Sequence, residues 1–402
     1  MKIGLIKEAK HPVDNRVALA PEQVASLQQR YPDDQFVVQS SDIRAYSDDE
    51  YRCAGVLVAD SVADCDVLFG IKEADPDILI PDKHYFFFGH IAKMQTYNRP
   101  LLLSLMEKGI TFSDYEYLVD DRGLRVCAFG WWAGIVGTYY SLRGYGLRHK
   151  LYELPKPDLH FTLDKLKHAL KSIQLPCIKI LVTGNGRVSH GAQELLEEIG
   201  VARLTEEQFL ADGPVLRPSF CAADVDRLVA RNDGQAFTWD HFTHHPEDYH
   251  SDFMRWARQA DMLVCAHFWD PKAPVYLSAD DLADPTLRIR FIGDISCDIQ
   301  GSVKSTLRAS THDEPYYDYN PSTCAEAQAF SADSNITVMA VDTCPNALAR
   351  DTSAYFGDML TKHVFTPLLE RRHSDVIQRS TILEKGILTP HFQYLETFAK
   401  GE

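Results

Sequence analysis

Short, nearly continuous apolar runs recur along the first third of the chain, with helical periodicity between them. Residues 2–6 read as a strand. Pro21-Glu22-Gln23-Val24-Ala25-Ser26-Leu27 opens a helix, with proline in the first turn, where its missing N–H costs nothing. Phe36-Val37-Val38 and Gly55-Val56-Leu57-Val58 read as strands, and residues 66–71 and 84–88 as strands apolar on both faces. Residues 98–108 carry a helical pattern. This alternation predicts an α/β domain built on a mostly parallel sheet.

The texture changes at Gly130-Trp131-Trp132-Ala133-Gly134-Ile135-Val136-Gly137, ahead of Tyr139, Tyr140 and Leu142. Small residues at this spacing predict a long helix leaving the first domain for a second, its glycines serving close packing or a hinge. A second α/β pattern then begins with a strand at 178–183, a glycine turn at 184–192 and a helix through Glu194, Leu195, Leu196 and Ile199. Residues 262–266 and 289–294 read as later strands, and the region 238–276 otherwise as insertion and loop. The tail, helical from about Tyr355 and again near Phe392, is expected to return to the first domain. The fold class expected is α/β: two Rossmann-like domains with parallel sheets and an active-site cleft between them. Residues 1–133 with about 350–402 form the substrate domain, and about 134–349 the dinucleotide domain.

At 402 residues the chain has the length for two such domains. Its formal charge of -16 argues against non-specific binding of nucleic acid or anionic membrane, both polyanions. The opening Met1-Lys2-Ile3-Gly4-Leu5-Ile6-Lys7-Glu8 holds no apolar signal core, and no apolar run approaches the roughly 20 residues that span a bilayer. Nine cysteines, Cys53 to Cys344, lack CxxC spacing and read as reduced thiols. A cytoplasmic monomer or small homo-oligomer is expected.

Three constellations carry chemistry. Gly184-Asn185-Gly186-Arg187-Val188-Ser189-His190-Gly191 lies between strand and helix, where glycines let backbone approach a pyrophosphate at a helix N-terminus. Its third position is Ser189, a departure from GxGxxG, with Gly191 two residues on. Glu206 is the candidate for a free ribose 2′-hydroxyl and Arg203 for a 2′-phosphate, so both NAD and NADP remain open. Lys72-Glu73 and His90 with Lys93 follow buried strands and are expected over the carboxyl edge of the sheet. Asp114-Tyr115-Glu116-Tyr117 leads to Arg122, Arg125 and Phe129, with Glu116 an ion-pair partner or a tuner of a nearby lysine. His241, His244, His245 and His250 fit no zinc spacing, and Pro246 interrupts them, so no metal is expected.

These residues together resemble a known family. Lys7-Glu8 with Asn15-Arg16-Val17-Ala18-Leu19-Ala20-Pro21 is similar to the amino-terminal motif of alanine dehydrogenases, saccharopine dehydrogenases and the transhydrogenase nucleotide domain. Gly70-Ile71-Lys72-Glu73, Phe88-Gly89-His90-Ile91-Ala92-Lys93, Asp114-Tyr115-Glu116 and the segment 125–134 resemble the lysine-forming saccharopine dehydrogenases and the lysine–2-oxoglutarate reductase half of the aminoadipic semialdehyde synthases. Asp294-Ile295-Ser296-Cys297-Asp298 and the segment 341–360 extend the resemblance over nearly the whole chain. It implies the reaction saccharopine + NAD(P)⁺ + water ⇌ lysine + 2-oxoglutarate + NAD(P)H. By matching position, Lys72 and His90 look like the acid–base pair, with Glu116 beside them. Arg16, Lys93 and Arg125 look like carboxylate contacts, and Phe129 like a wall of the site. The glycine turn, with Asp294 and Asp298, falls to the cofactor.

Saccharopine carries three carboxylates, so Arg16, Lys72, Lys93, Arg122 and Arg125 are expected as a basic island in an acidic molecule. Two other readings stay open. An alanine dehydrogenase shares Arg16, Lys72 and His90 equivalents but leaves the further arginines without purpose. A catalytically silent nucleotide-sensing protein would keep the fold without turnover.

Overall fold

The apolar runs of the amino-terminal third become six strands of one sheet in the computed structural model, which describes residues 1–9 and 11–401. They are β1 (Lys2–Leu5), β2 (Gln35–Gln39), β3 (Leu57–Ala59), β4 (Val67–Phe69), β5 (His84–Phe87) and β6 (Thr111–Asp114). All pair in parallel, in the order β6-β5-β4-β1-β2-β3. Successive side chains on a strand point to opposite faces, so a sheet covered on both sides needs apolar residues throughout. On β5, Phe86 joins one core with Phe69 and Phe356, while Tyr85 and Phe87 join another with Leu102 and Phe112.

The tail completes this unit, which comprises Met1–Phe129 and Leu348–Glu402. Helix Ala349–Leu360 lays Phe356 and Leu360 on one face of the sheet. Strands Thr381–Glu384 and Ile387–Leu388 then extend the sheet beyond β6 as an antiparallel pair, which the helical reading of the tail did not include.

The second unit, Gly130–Ala347, begins with helix α1 (Gly130–His149). This helix belongs whole to the second unit and does not run from one unit to the other. Its sheet contains β7 (Lys179–Thr183), β8 (Ala202–Arg203) and β9 (Ser219–Ala223). A separate antiparallel ribbon, β10 (Val229–Arg231) with β11 (Tyr249–Ser251), begins ahead of the expected insertion, and a short helix Trp239–His244 lies within it. The sheet resumes with β12 (Met262–Cys265), β13 (Phe291–Asp294), β14 (Tyr316–Asn320), β15 (Ala325–Ala327) and β16 (Ile336–Met339). The order is β15-β14-β16-β13-β12-β7-β9-β8, parallel except at β14 and β15.

Helix α2 (Arg187–Glu198) crosses α1 closely. A Cβ on Gly134 would lie 2.0 Å from the Val188 carbonyl oxygen, and one on Gly191 2.1 Å from that of Trp131. The small residues of α1 therefore serve packing. Both units are Rossmann-like α/β folds with antiparallel strands at one edge. Among the described residues, no helix is long and apolar enough to cross a membrane.

Candidate active site

The first sheet reverses its order of growth at β1, with β2 and β3 on one side and β4, β5 and β6 on the other. Open α/β sheets bind ligands outside the carboxyl ends of the strands at such a point. The residues that follow these carboxyl ends include Glu8, Lys72, Glu73, His90 and Glu116.

His90 is held in a left-handed conformation, φ 51°, which is uncommon for a residue with a bulky side chain. The buried Asp114 carboxylate holds this turn, accepting the N–H groups of Gly89 and His90, both at 3.1 Å. Asn98 donates to the His90 carbonyl at 3.2 Å. The imidazole Nδ1 lies 2.7 Å from Glu73 Oε1. Burial pushes Asp114 up to about 7, although the backbone N–H groups it accepts oppose the shift.

Glu116 is buried and gathers two cations. Arg125 Nη2 lies 2.8 Å and Lys93 Nζ 3.3 Å from its Oε1. Burial works against its ionisation, but Lys93, Arg125 and His90 hold its carboxyl below the usual range. Arg16 is buried and forked onto Asp14, with Nε to Oδ1 at 2.9 Å and Nη2 to Oδ2 at 2.5 Å. Its guanidinium carbon stands 4.3 Å from the centroid of the Phe129 ring. Glu8 accepts the N–H groups of Ile71 at 2.7 Å and Lys72 at 2.9 Å, so it anchors the segment that carries Lys72. Burial, with the Asp14 charge adding to it, pushes Glu8 up to about 8.

Arg16, Lys72, Lys93 and Arg125 thus stand among Asp14, Glu73 and Glu116. The basic island expected from the sequence is a network of mixed charge. Arg122 does not join it: its side chain is exposed, in a turn where Asp120 accepts its backbone N–H. Asp14 escaped the sequence reading, and Glu73 and Asp114 stood in its constellations without a role of their own. The only signals were their positions, Asp14 two before Arg16 and the other two at strand ends.

In the second unit, Gly184 follows β7 with φ +84°, and a Cβ there would meet the His267 backbone at 2.8 Å. At Gly186 a Cβ would meet nothing within 4 Å. Gly186 caps α2 without a side-chain hydrogen bond to its first turn. This open cradle at the N-terminus of α2 fits the pyrophosphate of a dinucleotide. Arg187 and Val188 start the helix, while Ser189 is buried and accepts from Gln193 at 2.8 Å. A cavity of about 370 Å³ adjoins the turn, lined by Gly184, Gly186, Asp224, Trp239 and His267 among others.

The strand beside β7 is β9, with β8 one place farther out, because residues 202–203 pair only with β9. Glu206 accordingly sits at the outer edge, paired with Arg227 at 3.3 Å, and Arg203 pairs with Glu197 at 2.7 Å. Asp224, directly after β9, stands next to the glycine turn, since Gly184 N–H donates to Ala223. Its signal was an apolar run, residues 220–223, ending in an acid. Asp294 is buried, with Ser296, Thr306 and the Cys297 N–H all donating to it, which makes it a brace for the loop after β13; Asp298 lies in that loop. In the histidine-rich segment, His244 bonds the Asp240 carbonyl and His250 bonds Asn232.

Comparison with known proteins gives a consistent placement. The model of the family described as alanine dehydrogenase/PNT, N-terminal domain, matches residues 4–136. The alpha-aminoadipic semialdehyde synthase of Arabidopsis thaliana is 28% identical over 99% of this chain and 42% of its own length. The chain spans about half the length of such relatives. The saccharopine dehydrogenase [NAD(+), L-lysine-forming] of Emericella nidulans is 25% identical over 89% of this chain and 90% of its own. Among solved structures, an L-alanine dehydrogenase superposes with a TM-score of 0.63 at 18% identity, covering 98% of this chain and 99% of that one, which speaks for the fold. The chain resembles the saccharopine dehydrogenases over most of its length, and its residues 4–136 match the alanine dehydrogenase/PNT amino-terminal family.

Proposed function

We propose that this chain is an NAD-dependent oxidoreductase that interconverts saccharopine with lysine and 2-oxoglutarate. The observation that carries the reading is the constellation after β4, β5 and β6: Lys72, the Glu73–His90 pair, and Glu116 between Lys93 and Arg125. The name of the Emericella nidulans relative supports both the reaction and the coenzyme.

A carboxylate can only accept hydrogen bonds. Against Glu73, therefore, the His90 Nδ1 carries the proton, and Nε2 is left to exchange protons with substrate. Forming a carbinolamine from the lysine amine and the 2-oxoglutarate carbonyl, then dehydrating it to an imine, needs several proton transfers near neutral pH, which imidazole suits. Lys72 is assigned the second acid–base role. Asp114 acts through His90, holding the turn that aims the ring. Arg125 and Lys93 are about half exposed while Glu116 is buried, so the two cations keep outward capacity for a substrate carboxylate. When bound, the cofactor would supply the hydride chemistry through its nicotinamide. The cradle of Gly184 and Gly186 holds its pyrophosphate, and Asp224 accepts from the ribose 2′-hydroxyl and repels a 2′-phosphate, favouring NAD.

The test is oxidation of NADH and of NADPH with lysine plus 2-oxoglutarate, against pyruvate plus ammonium. Turnover that requires lysine and 2-oxoglutarate together, faster with NADH, is expected. Equal or faster turnover with pyruvate and ammonium would move the chain to the alanine dehydrogenases. No turnover with either pair would leave a nucleotide-binding protein.

A further inference from the structure

A cavity of about 900 Å³ in the first unit does not lie at the carboxyl ends of the strands. It opens at their amino ends, lined by the starts of β1, β5 and β6 (Met1, His84 and Thr111) and by the returning tail from Pro367 to His391. Its volume lies in the range of small-molecule sites. Arg371, Arg372, Arg379 and Lys385 line it beside Asp375 and Glu384, with the three arginines ion-paired to Asp34, Glu370 and Asp121. Lys385 is the one of these four cations with no ion-pair partner among the described residues.

His84 gives this cavity a direction. Thr381 Oγ1 donates to the Ile377 carbonyl at 2.9 Å, so toward Ser113 it accepts. Ser113 Oγ, 2.9 Å away, spends its own proton on Thr381 and must accept from His84 Nε2, also at 2.9 Å. A hydroxyl has one proton to give, so the chain of bonds has a single sense. Burial holds the His84 ring well below its usual range, at about 4, and it is therefore neutral. With the proton fixed on Nε2, Nδ1 is left as a bare acceptor, with no partner among the described residues, on a ring that lines the cavity.

We propose that this cavity is a second ligand site, which takes a small carboxylate that also bears an N–H or O–H donor, as a free α-amino acid does. The donor meets His84 Nδ1, and the carboxylate meets Lys385. The site is separate from the residues assigned to catalysis and does not rest on that assignment.

Histidine-selective ¹⁵N labelling of the full chain tests it, with the His84 signal assigned by its loss in His84→Gln. The free protein should show His84 as the Nε2–H tautomer. L-lysine, L-glutamate and inorganic phosphate serve as probes at millimolar concentration. At least one amino acid should move the Nδ1 resonance, and Lys385→Glu, a change at an exposed position, should weaken that binding by about tenfold, equivalent to ~1.4 kcal/mol. Amino acids bound only at the candidate active site would leave His84 unmoved, which overturns the proposal. An Nδ1–H tautomer in the free protein, phosphate binding as well as either amino acid, or unchanged affinity in Lys385→Glu also overturns it.

Discussion

His90 and Arg125 belong to one network of side chains but answer differently to substitution. A proton-transfer group stabilises chiefly the transition state, so His90→Asn should lower kcat by roughly 10²–10⁴-fold, with KM little changed. Arg125 offers a contact present in ground and transition states alike, so Arg125→Ala should chiefly raise KM for 2-oxoglutarate. Steady-state kinetics on both, with folding checked by circular dichroism, separates the roles; near-normal kcat in His90→Asn and Lys72→Met together would hand the chemistry to other residues. Glu8 permits a test of stability. Its folded value, about 8, lies above the usual 4.5, so the folded state holds its proton more tightly than the unfolded one. That contribution is complete below about 4.5 and is lost as pH rises through about 8. Glu8→Gln removes the titration. The melting temperature of the variant relative to the natural protein should therefore climb between pH 5 and 8, and a flat difference would mean that Glu8 is not desolvated. The sequence suggested an ion pair for Glu116 without naming its partners: Lys93 reaches it because β5 and β6 are neighbours, and Arg125 returns beside it through a bridge to Val119.

At the scale of elements, two glycines of the second unit should fail in opposite ways. Gly186 has an extended backbone, φ -87° and ψ -175°, and open space where a side chain would go. Gly186→Val should fold normally and weaken NADH binding at least tenfold by calorimetry, because the new side chain enters the phosphate cradle. Gly134→Val drives a side chain into the Val188 carbonyl. It should lower stability by about 3 kcal/mol in denaturant unfolding. Normal stability of the Gly134 variant would mean that α1 and α2 pack less closely than described. Asp224→Ser should narrow the preference of the protein for NADH over NADPH, and an unchanged ratio of affinities would return the ribose to another residue. The strands of this unit that alternate with clear helices were legible, because burial on both faces forces unbroken apolar runs. The place of β9 was not. Which strand lies beside β7 depends on pairing across the chain, and a two-residue β8 carries no periodicity. The antiparallel pair of the tail was missed for the same reason: its strands, four and two residues long, are recognisable only by the β6 edge they cover.

Across the whole molecule, charge poses the remaining question: how a protein with a formal charge of -16 attracts a dianion. The sequence reading answered with an island of five cations. In the fold Arg122 stands apart, and Asp14, Glu73 and Glu116 face the other four. Glu8, pushed up to about 8, is mostly neutral at pH 7. Asp114, pushed up to about 7, adds part of a negative charge, so the local excess is less than one positive charge, against a large diffuse negative field. These two fields respond to salt over different distances. The Debye length falls from ~30 Å at 0.01 M to ~8 Å at 0.15 M, so added salt first removes the long-range repulsion. Contacts at about 3 Å, such as a carboxylate on Arg125, lie well inside either length and are screened little. The encounter of 2-oxoglutarate with the protein should accordingly become easier as salt rises. Its kcat/KM is expected to increase about two- to threefold between ~10 and ~150 mM sodium chloride, with a smaller change for lysine, which carries a net positive charge. Initial rates at subsaturating 2-oxoglutarate measure this directly. A steep fall with salt would mean that the cations around Glu116 project a field of their own, and that the carboxylates beside them do not neutralise it.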